Sequence, residues 1–262
     1  MSYRRFVALG DSTTEGLMDL YPDGRLRGWA DRLAERLAEL EPELRYANLA
    51  VRGRLAGQVR AEQLEPALAL RPDLASLLAG LNDLLRRNCD VAAVAAEIEA
   101  TAGPLRDAGA DVLLFTLPDP VPVNPLAWSA AVRLRQLNAA VREIAARRGA
   151  FVVDLERTPV ASDPRLWDLD RLHANPEGHR RIAAAAAHAL GLPDADETWT
   201  AAFPEPFPRR TARAHAVWAH RHFTPWLIRR LRGRSSGDGR TAKRPELEPV
   251  RRPALEGGPA QE

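Results

Sequence analysis

From the N-terminus to about residue 190, short apolar runs alternate with longer amphipathic stretches. Residues 5–10 (RFVALG) are a brief apolar run closed by glycine, the pattern of a buried strand. Residues 29–40 follow, with Leu33, Leu37 and Leu40 on one face and Arg or Glu on the other, which predicts a helix. The alternation then repeats. Further strands are expected at 46–51, at 73–80 (DLASLLAG, between Pro72 and Gly80), at 110–116 and at 150–155. Helices are expected at 55–70, interrupted near Pro66, and at 91–108, 128–148 and 176–190. Five strands separated by helices predict a three-layer α/β/α sandwich around a five-stranded parallel sheet.

Beyond Leu192 the pattern decays. Pro193, Pro204, Pro206 and Pro208 break the chain into short pieces. Residues 211–232 predict two short basic helices divided at Pro225, with Thr224 as the cap of the second. From Gly233 onward Gly, Ser, Pro, Arg and Glu dominate, so that stretch is expected to be disordered. The expected organisation is a globular body over 1–192, a helical extension over 193–232 and a disordered tail over 233–262.

Composition narrows the class. Of 262 residues, 45% are hydrophobic and 27% charged, which excludes a collagen, a coiled-coil rod and a wholly disordered chain. No apolar run reaches the roughly 18 residues of a spanning helix. Arg4 and Arg5 precede only the short apolar run Phe6 to Leu9, so a secretory signal is not expected. Cys89 is the only cysteine, which rules out a disulfide within the chain and a cysteine-built zinc site. A cytoplasmic location is expected. Charge is unevenly spread: residues 209–262 hold 13 basic and 5 acidic residues, a net +8, against −6 for the remainder. The basic segment carries no nucleic-acid recognition motif, so no specific nucleic acid is expected.

Ligands of parallel α/β sheets bind at the carboxyl ends of the strands, so the residues after each strand are the candidates. Gly10-Asp11-Ser12 follows the first strand, Val51-Arg52-Gly53 the second and Gly80-Leu81-Asn82-Asp83 the third. Asp170-Arg171-Leu172-His173 lies beyond the fifth, ahead of a helix start at Asn175-Pro176. Each block alone reads equally as a turn, a loop glycine, a cap or a solvated histidine. Asp170 stands three residues before His173, within reach of the ring nitrogen that faces away from a substrate. Asp168 and Asp154 compete for that role by position, and His179 reads as structural, inside the following helix. No cluster of metal ligands is present, and neither a metal nor a cofactor is expected.

Together the blocks resemble the SGNH, or GDSL-type, esterase and lipase family, over about residues 4–191. Gly-Asp-Ser, Gly-x-Asn-Asp and Asp-x-x-His match without substitution, although Thr13 stands where the family name has leucine. The glycine block, residues 48–53, is the loosest, with Gly57 as a rival to Gly53. The resemblance implies a flavodoxin-like sheet and a serine hydrolase acting on a small acyl ester. It implies Ser12 as nucleophile, His173 as general base and Asp170 as its orienting partner. The Ser12 N–H, the Gly53 N–H and the Asn82 side chain form the implied oxyanion hole, with Asp11 and Asp83 bracing these loops. Loops 17–28, 84–90, 117–127 and 157–169 are the expected specificity elements, with Trp128 and Trp167 as an apolar wall for a short or medium acyl chain. Two other readings stand beside this one. The first is a non-catalytic interaction module on a hydrolase fold. The second is a lipase that touches a membrane surface through the basic, aromatic segment 211–232, which reads equally as a helical pair docked on the body. Oligomeric state is not legible.

Overall fold

The computed structural model describes residues 2–208 and 210–250. Strands β1 (Arg5–Gly10), β2 (Arg45–Asn48), β3 (Leu74–Leu78), β4 (Asp111–Phe115) and β5 (Phe151–Val153) fall in the expected segments and pair in parallel. β3 is buried along its whole length and β1 from Phe6 onward, because helices cover both faces of the sheet. The helical elements of the body are α1 (Ser12–Glu15), α2 (Gly28–Leu40), α3 (Ala56–Ala69), α4 (Leu81–Leu84), α5 (Val91–Asp107), α6 (Ala131–Arg148) and α7 (Pro176–Ala189). α2 buries Trp29, Leu33 and Leu37, one turn apart, and packs on the alanine-rich face of α7. α3 packs on α5, and α5 on α6.

The strands lie in the order β5-β4-β3-β1-β2-β6, where β6 is Arg244–Pro249. Chain direction across the sheet reverses between β1 and β3, the place where an open α/β sheet leaves a crevice. Gly10, at the end of β1, has φ 148°, and a Cβ there would stand 2.4 Å from the Leu78 carbonyl oxygen. Only glycine lets β1 and β3 approach so closely at the crevice.

Several expectations need correction. The sheet has six strands, not five, and β6 pairs antiparallel with β2, with Tyr46 opposite Glu248. Residues 233–250 are therefore ordered rather than disordered, and the fold does not close at residue 192; residues 251–262 lie outside the described residues. The cause is the edge of β2, whose backbone groups need partners. β6 (RPELEP) supplies them with almost no apolar side chain, and proline is tolerated on an edge strand. Just before it, the Lys243 ammonium is buried against the Asp31 carboxylate and the carbonyls of Leu26 and Arg27.

Segment 211–232 folds as α8 (Ala212–Trp218), a π-helical turn over Ala219–Phe223, and α9 (Thr224–Leu231). Thr224 is already helical and caps nothing. The cap is Thr211, whose hydroxyl accepts from the Ala214 N–H at 3.2 Å. α3 runs through Pro66 without a break. α6 begins at Ala131, later than expected, because Pro125–Ala130 form a 3-10 turn capped by Asn124.

Candidate active site

β1 delivers Ser12 to the crevice. Asp11 caps α1 by accepting from the Thr13 N–H at 3.2 Å, and Ser12 is the first helical residue. Its N–H is thus among those a helix start leaves without an intrahelical acceptor. The loop between β5 and α7 brings His173 to it: His173 Nε2 stands 2.9 Å from Ser12 Oγ. On the far side of the ring, Nδ1 stands 2.6 Å from Asp170 Oδ2. Asp170 Oδ1 also accepts from the N–H groups of Leu172 and His173, at 2.9 and 3.0 Å. Burial alone would raise the Asp170 carboxyl, but these bonds outweigh it and hold the group below its usual range. An ionised Asp170 only accepts, so Nδ1 carries the proton and Nε2 accepts from the Ser12 hydroxyl.

The rival aspartates are engaged elsewhere. Asp154 pairs with Arg142 and accepts from Thr116, and Asp168 accepts from the Leu169 N–H. His179 is fully buried, accepts from the Trp29 N–H through Nδ1 and donates to the Leu17 carbonyl through Nε2. It links α7 to α2 and to the loop after α1.

Of the two remaining blocks, the Asn82 block is tied to the Ser12 loop through Asp11 and to the residue after Gly53 through the Arg54 carbonyl. Gly53 has φ 76°, and a Cβ there would come within 2.3 Å of Ser235 Oγ; Gly57 has ordinary room within α3. The Asn82 amide donates to Asp11 Oδ2 at 2.9 Å and to the Arg54 carbonyl at 3.1 Å, which ties the β1, β2 and β3 loops together. Both of its N–H groups are thereby occupied, so receiving an oxyanion requires it to exchange one of these acceptors. Asp83 accepts from the Ala56 N–H at 3.0 Å and so braces the loop beside Gly53. Asp11 is buried, which pushes its carboxyl up to about 6, against the lowering effect of the Thr13 N–H and of nearby His173.

A cavity lies next to this arrangement, without Ser12, Asn82 or His173 in its wall, and is lined mainly by apolar side chains, among them Leu81, Leu85, Val123, Leu134, Val160 and Trp167. Thr13 and Leu172, the neighbours of Ser12 and His173, also touch it. Loops 117–127 and 157–169 supply much of the wall, whereas residues 17–28 lie outside it. Trp128 does not join this wall: it sits in the 3-10 turn before α6 and is 70% exposed. Among the described residues, no group of three or more His, Cys, Asp or Glu could hold a metal ion, and no helix is long and apolar enough to cross a membrane.

Contacts absent from the sequence reading complete the site. Glu15, on α1, accepts from the Arg52 N–H at 2.7 Å and pairs with its guanidinium, which fixes the loop ahead of Gly53. Trp218, on α8, is buried, and its Nε1–H donates to the Asp170 carbonyl at 2.9 Å. The helical pair is thus docked through Trp218 on the loop that holds Asp170 and His173.

The GDSL-like lipase/acylhydrolase profile matches residues 8–181, two-thirds of the chain. The chain belongs to this family. It is an ester hydrolase of the GDSL type, and the segment after residue 181 is additional to the family profile. No curated protein sequence matches it. Among solved structures it is similar to a catalytic mutant of an acetylxylan esterase from Geobacillus stearothermophilus, with a TM-score of 0.63 and 19% identity. That match covers 75% of this chain and 98% of the other. An α/β hydrolase from the metagenome of Lake Arreo, Spain, aligns with a TM-score of 0.61 and 22% identity, covering 72% and 96%. A lipase/acylhydrolase from Enterococcus faecalis aligns with a TM-score of 0.58 and 20% identity, covering 71% and 95%. At these identities the likeness is one of fold. Each of these neighbours is nearly whole within its alignment, so about a quarter of this chain has no counterpart in it.

Proposed function

We propose that this GDSL-family hydrolase cleaves acyl esters through an acyl-enzyme on Ser12, with His173 as general base and Asp170 as its orienting partner. The observation that carries the reading is the unbroken relay from Ser12 Oγ to His173 Nε2 and from Nδ1 to Asp170 Oδ2, at 2.9 and 2.6 Å. A serine hydroxyl is a weak nucleophile at neutral pH, and the accepting Nε2 takes its proton as Oγ attacks the ester carbonyl carbon. The imidazolium that forms is stabilised by the Asp170 carboxylate.

The carbonyl oxygen becomes an oxyanion, for which the Ser12 N–H, the Gly53 N–H and the Asn82 amide are the donors. Asn82 gives up the Arg54 carbonyl or the Asp11 carboxylate as charge develops. Collapse of the tetrahedral intermediate expels the alcohol, which leaves with the proton from Nε2. Water activated by the same nitrogen then frees the acid. The apolar cavity beside Thr13 is the acyl site, which favours medium acyl chains over acetyl.

An intact relay speaks against a non-catalytic interaction module, because such a module has no need to hold a histidine between a serine and a carboxylate. A membrane-surface role for 211–232 has less support than docking, since Trp218 faces inward. The test is covalent labelling with a fluorophosphonate followed by peptide mapping. Label on the peptide holding Ser12, lost in Ser12→Ala and in His173→Ala, is the expected result. Label elsewhere, or label that survives Ser12→Ala, contradicts the assignment.

A further inference from the structure

Arg171 lies between Asp170 and Leu172 in the catalytic loop and has φ 59°, an unusual backbone conformation for a side-chain-bearing residue. It is 6% exposed and is the only arginine among the described residues that is buried to this degree. Several half-buried arginines elsewhere are matched with acids: Arg32 with Asp19, Arg52 with Glu15, Arg142 with Asp154 and Glu156, Arg181 with Glu177, whereas Arg133 and Arg230 bond backbone carbonyls. Arg171 has no such match among the described residues. Its Nη1 donates to His215 Nδ1 at 3.0 Å, its Nη2 to the Ala214 carbonyl at 3.4 Å, and its guanidinium lies 4.6 Å over the Trp218 ring. All three partners are neutral, since a His215 Nδ1 that accepts from arginine carries no proton there. Two of the five guanidinium N–H groups are used, and three remain for another acceptor.

Arg210 repeats the pattern nearby. Its Nη1 donates to the Val123 carbonyl at 3.1 Å and its guanidinium lies 4.8 Å from the Phe207 ring, again with no acid as partner among the described residues. Burial and the proximity of Arg210 both push the Arg171 pKa down, and burial does the same to Arg210. Arg171 and Val123 line the same cavity that reaches Thr13 beside Ser12. A buried guanidinium on the cavity wall and a half-buried one bonded to the backbone of the wall residue Val123, neither with an acid partner among the described residues, are better satisfied when an anion completes the site.

We propose that Arg171 and Arg210 form an anion subsite in the active-site cavity, which selects acyl esters carrying a carboxylate or phosphate. The proposal rests on the esterase reading of Ser12. It deepens that reading by giving the C-terminal extension, which supplies Arg210 and the His215 and Trp218 supports of Arg171, a part in substrate choice. The apolar lining takes the hydrocarbon portion, and the guanidinium pair takes the charged end through paired N–H donors. A carboxylate at the end of the acyl chain and a phosphate on the departing alcohol present the same chemistry to the pair, and the test separates them.

Two matched ester pairs decide between the sources. The first is 4-nitrophenyl hexanoate against the mono-4-nitrophenyl ester of hexanedioic acid. The second is a monoacylglycerol against the acylglycerol phosphate of the same chain. For each pair, kcat/KM is measured with wild type, Arg171→Gln and Arg210→Gln. The expected result is a preference of about tenfold or more for the charged member of one pair in wild type, falling to near unity in both variants. The pair that shows it identifies the anion. Preferences near unity in wild type for both pairs, or a preference that either variant retains, overturn the proposal.

If Ser12→Ala keeps wild-type hydrolysis, or no ester is turned over, the esterase reading fails and binding alone decides. Hexanedioate and inorganic phosphate are then titrated calorimetrically into Ser12→Ala, with and without Arg210→Gln. Saturable binding weakened about tenfold by Arg210→Gln supports the subsite. No binding, or binding that Arg210→Gln leaves unchanged, overturns it.

Discussion

The indole N–H of Trp218 donates to the backbone carbonyl of Asp170 at 2.9 Å, so a residue beyond the family-matched segment 8–181 holds the loop that orients His173. The same ring lies beneath the Arg171 guanidinium. Farther along, Arg230 donates to the Leu85 carbonyl near Asn82, and Ser235 donates to the Gly53 carbonyl at 3.4 Å. Lys243 then reaches the loop before α2. The extension therefore contacts the loop around His173 and those around Asn82 and Gly53 before it closes the sheet as β6.

Trp218→Phe keeps an aromatic ring and removes the N–H. Stability should fall by about 1 kcal/mol, the usual worth of one hydrogen bond. If Trp218 positions Asp170, kcat should fall severalfold while KM stays nearly constant, because the loss bears on the relay rather than on the cavity. Steady-state kinetics beside urea unfolding check this. A stability loss with unchanged kcat would leave Trp218 a purely structural contact.

Removing Lys243 should be costly. Its ammonium is the close partner of the buried Asp31 carboxylate, which also accepts from the Tyr46 hydroxyl at 3.1 Å. Lys243→Met leaves that carboxylate buried without its cation and is expected to cost about 3–5 kcal/mol. The double variant with Asp31→Asn should recover much of the loss. Urea midpoints of the two variants measure both values, and a Lys243→Met protein as stable as wild type would contradict the pairing.

The five parallel strands and the candidate residues beyond them were legible because their signals are local. The apolar runs of β1 to β5 are bounded by Gly and Pro; Ser12 follows the end of β1, and Asp170 and His173 stand just ahead of the Asn175-Pro176 helix start. β6 was not legible, since RPELEP has neither alternation nor apolar content and is held by backbone pairing at the edge of β2. Thr224 before Pro225 looked like a helix start, yet the π-helical turn carries the helix through it. Trp128 looked like a cavity wall from its position, but the turn capped by Asn124 points it outward. The Glu15–Arg52 and Asp170–Trp218 contacts join residues far apart in the chain, and no spacing encodes them.

Acid should destabilise the protein through His179. Burial holds its pKa at about 4, below the value of about 6.5 for an unfolded chain. The folded state then binds fewer protons between those values. Stability present above pH 6.5 is therefore lost as pH falls toward 4, by about 3 kcal/mol. Asp11 has the opposite sign: its carboxyl is raised to about 6, so its contribution is greatest below its unfolded value of about 4 and is lost as pH rises through 6. Comparison of wild type with His179→Gln isolates the histidine. The stability advantage of wild type should shrink from pH 7 to pH 4, and a constant difference would contradict the assignment.

Asn82→Ala removes the amide that links the Asp11 and Arg54 loops and serves as the proposed oxyanion donor. Loss of one such donor costs about 10²- to 10³-fold in kcat. A larger effect on KM than on kcat would place Asn82 in substrate binding instead.

The most direct test of the account is hydrolysis of 4-nitrophenyl acetate, butyrate, octanoate and palmitate by wild type and by Ser12→Ala. Wild type is expected to turn over at least one of them, with a medium chain favoured over acetate by the apolar cavity, and Ser12→Ala to lose activity by orders of magnitude. Hydrolysis by Ser12→Ala at the wild-type rate would contradict the central claim that Ser12 is the nucleophile.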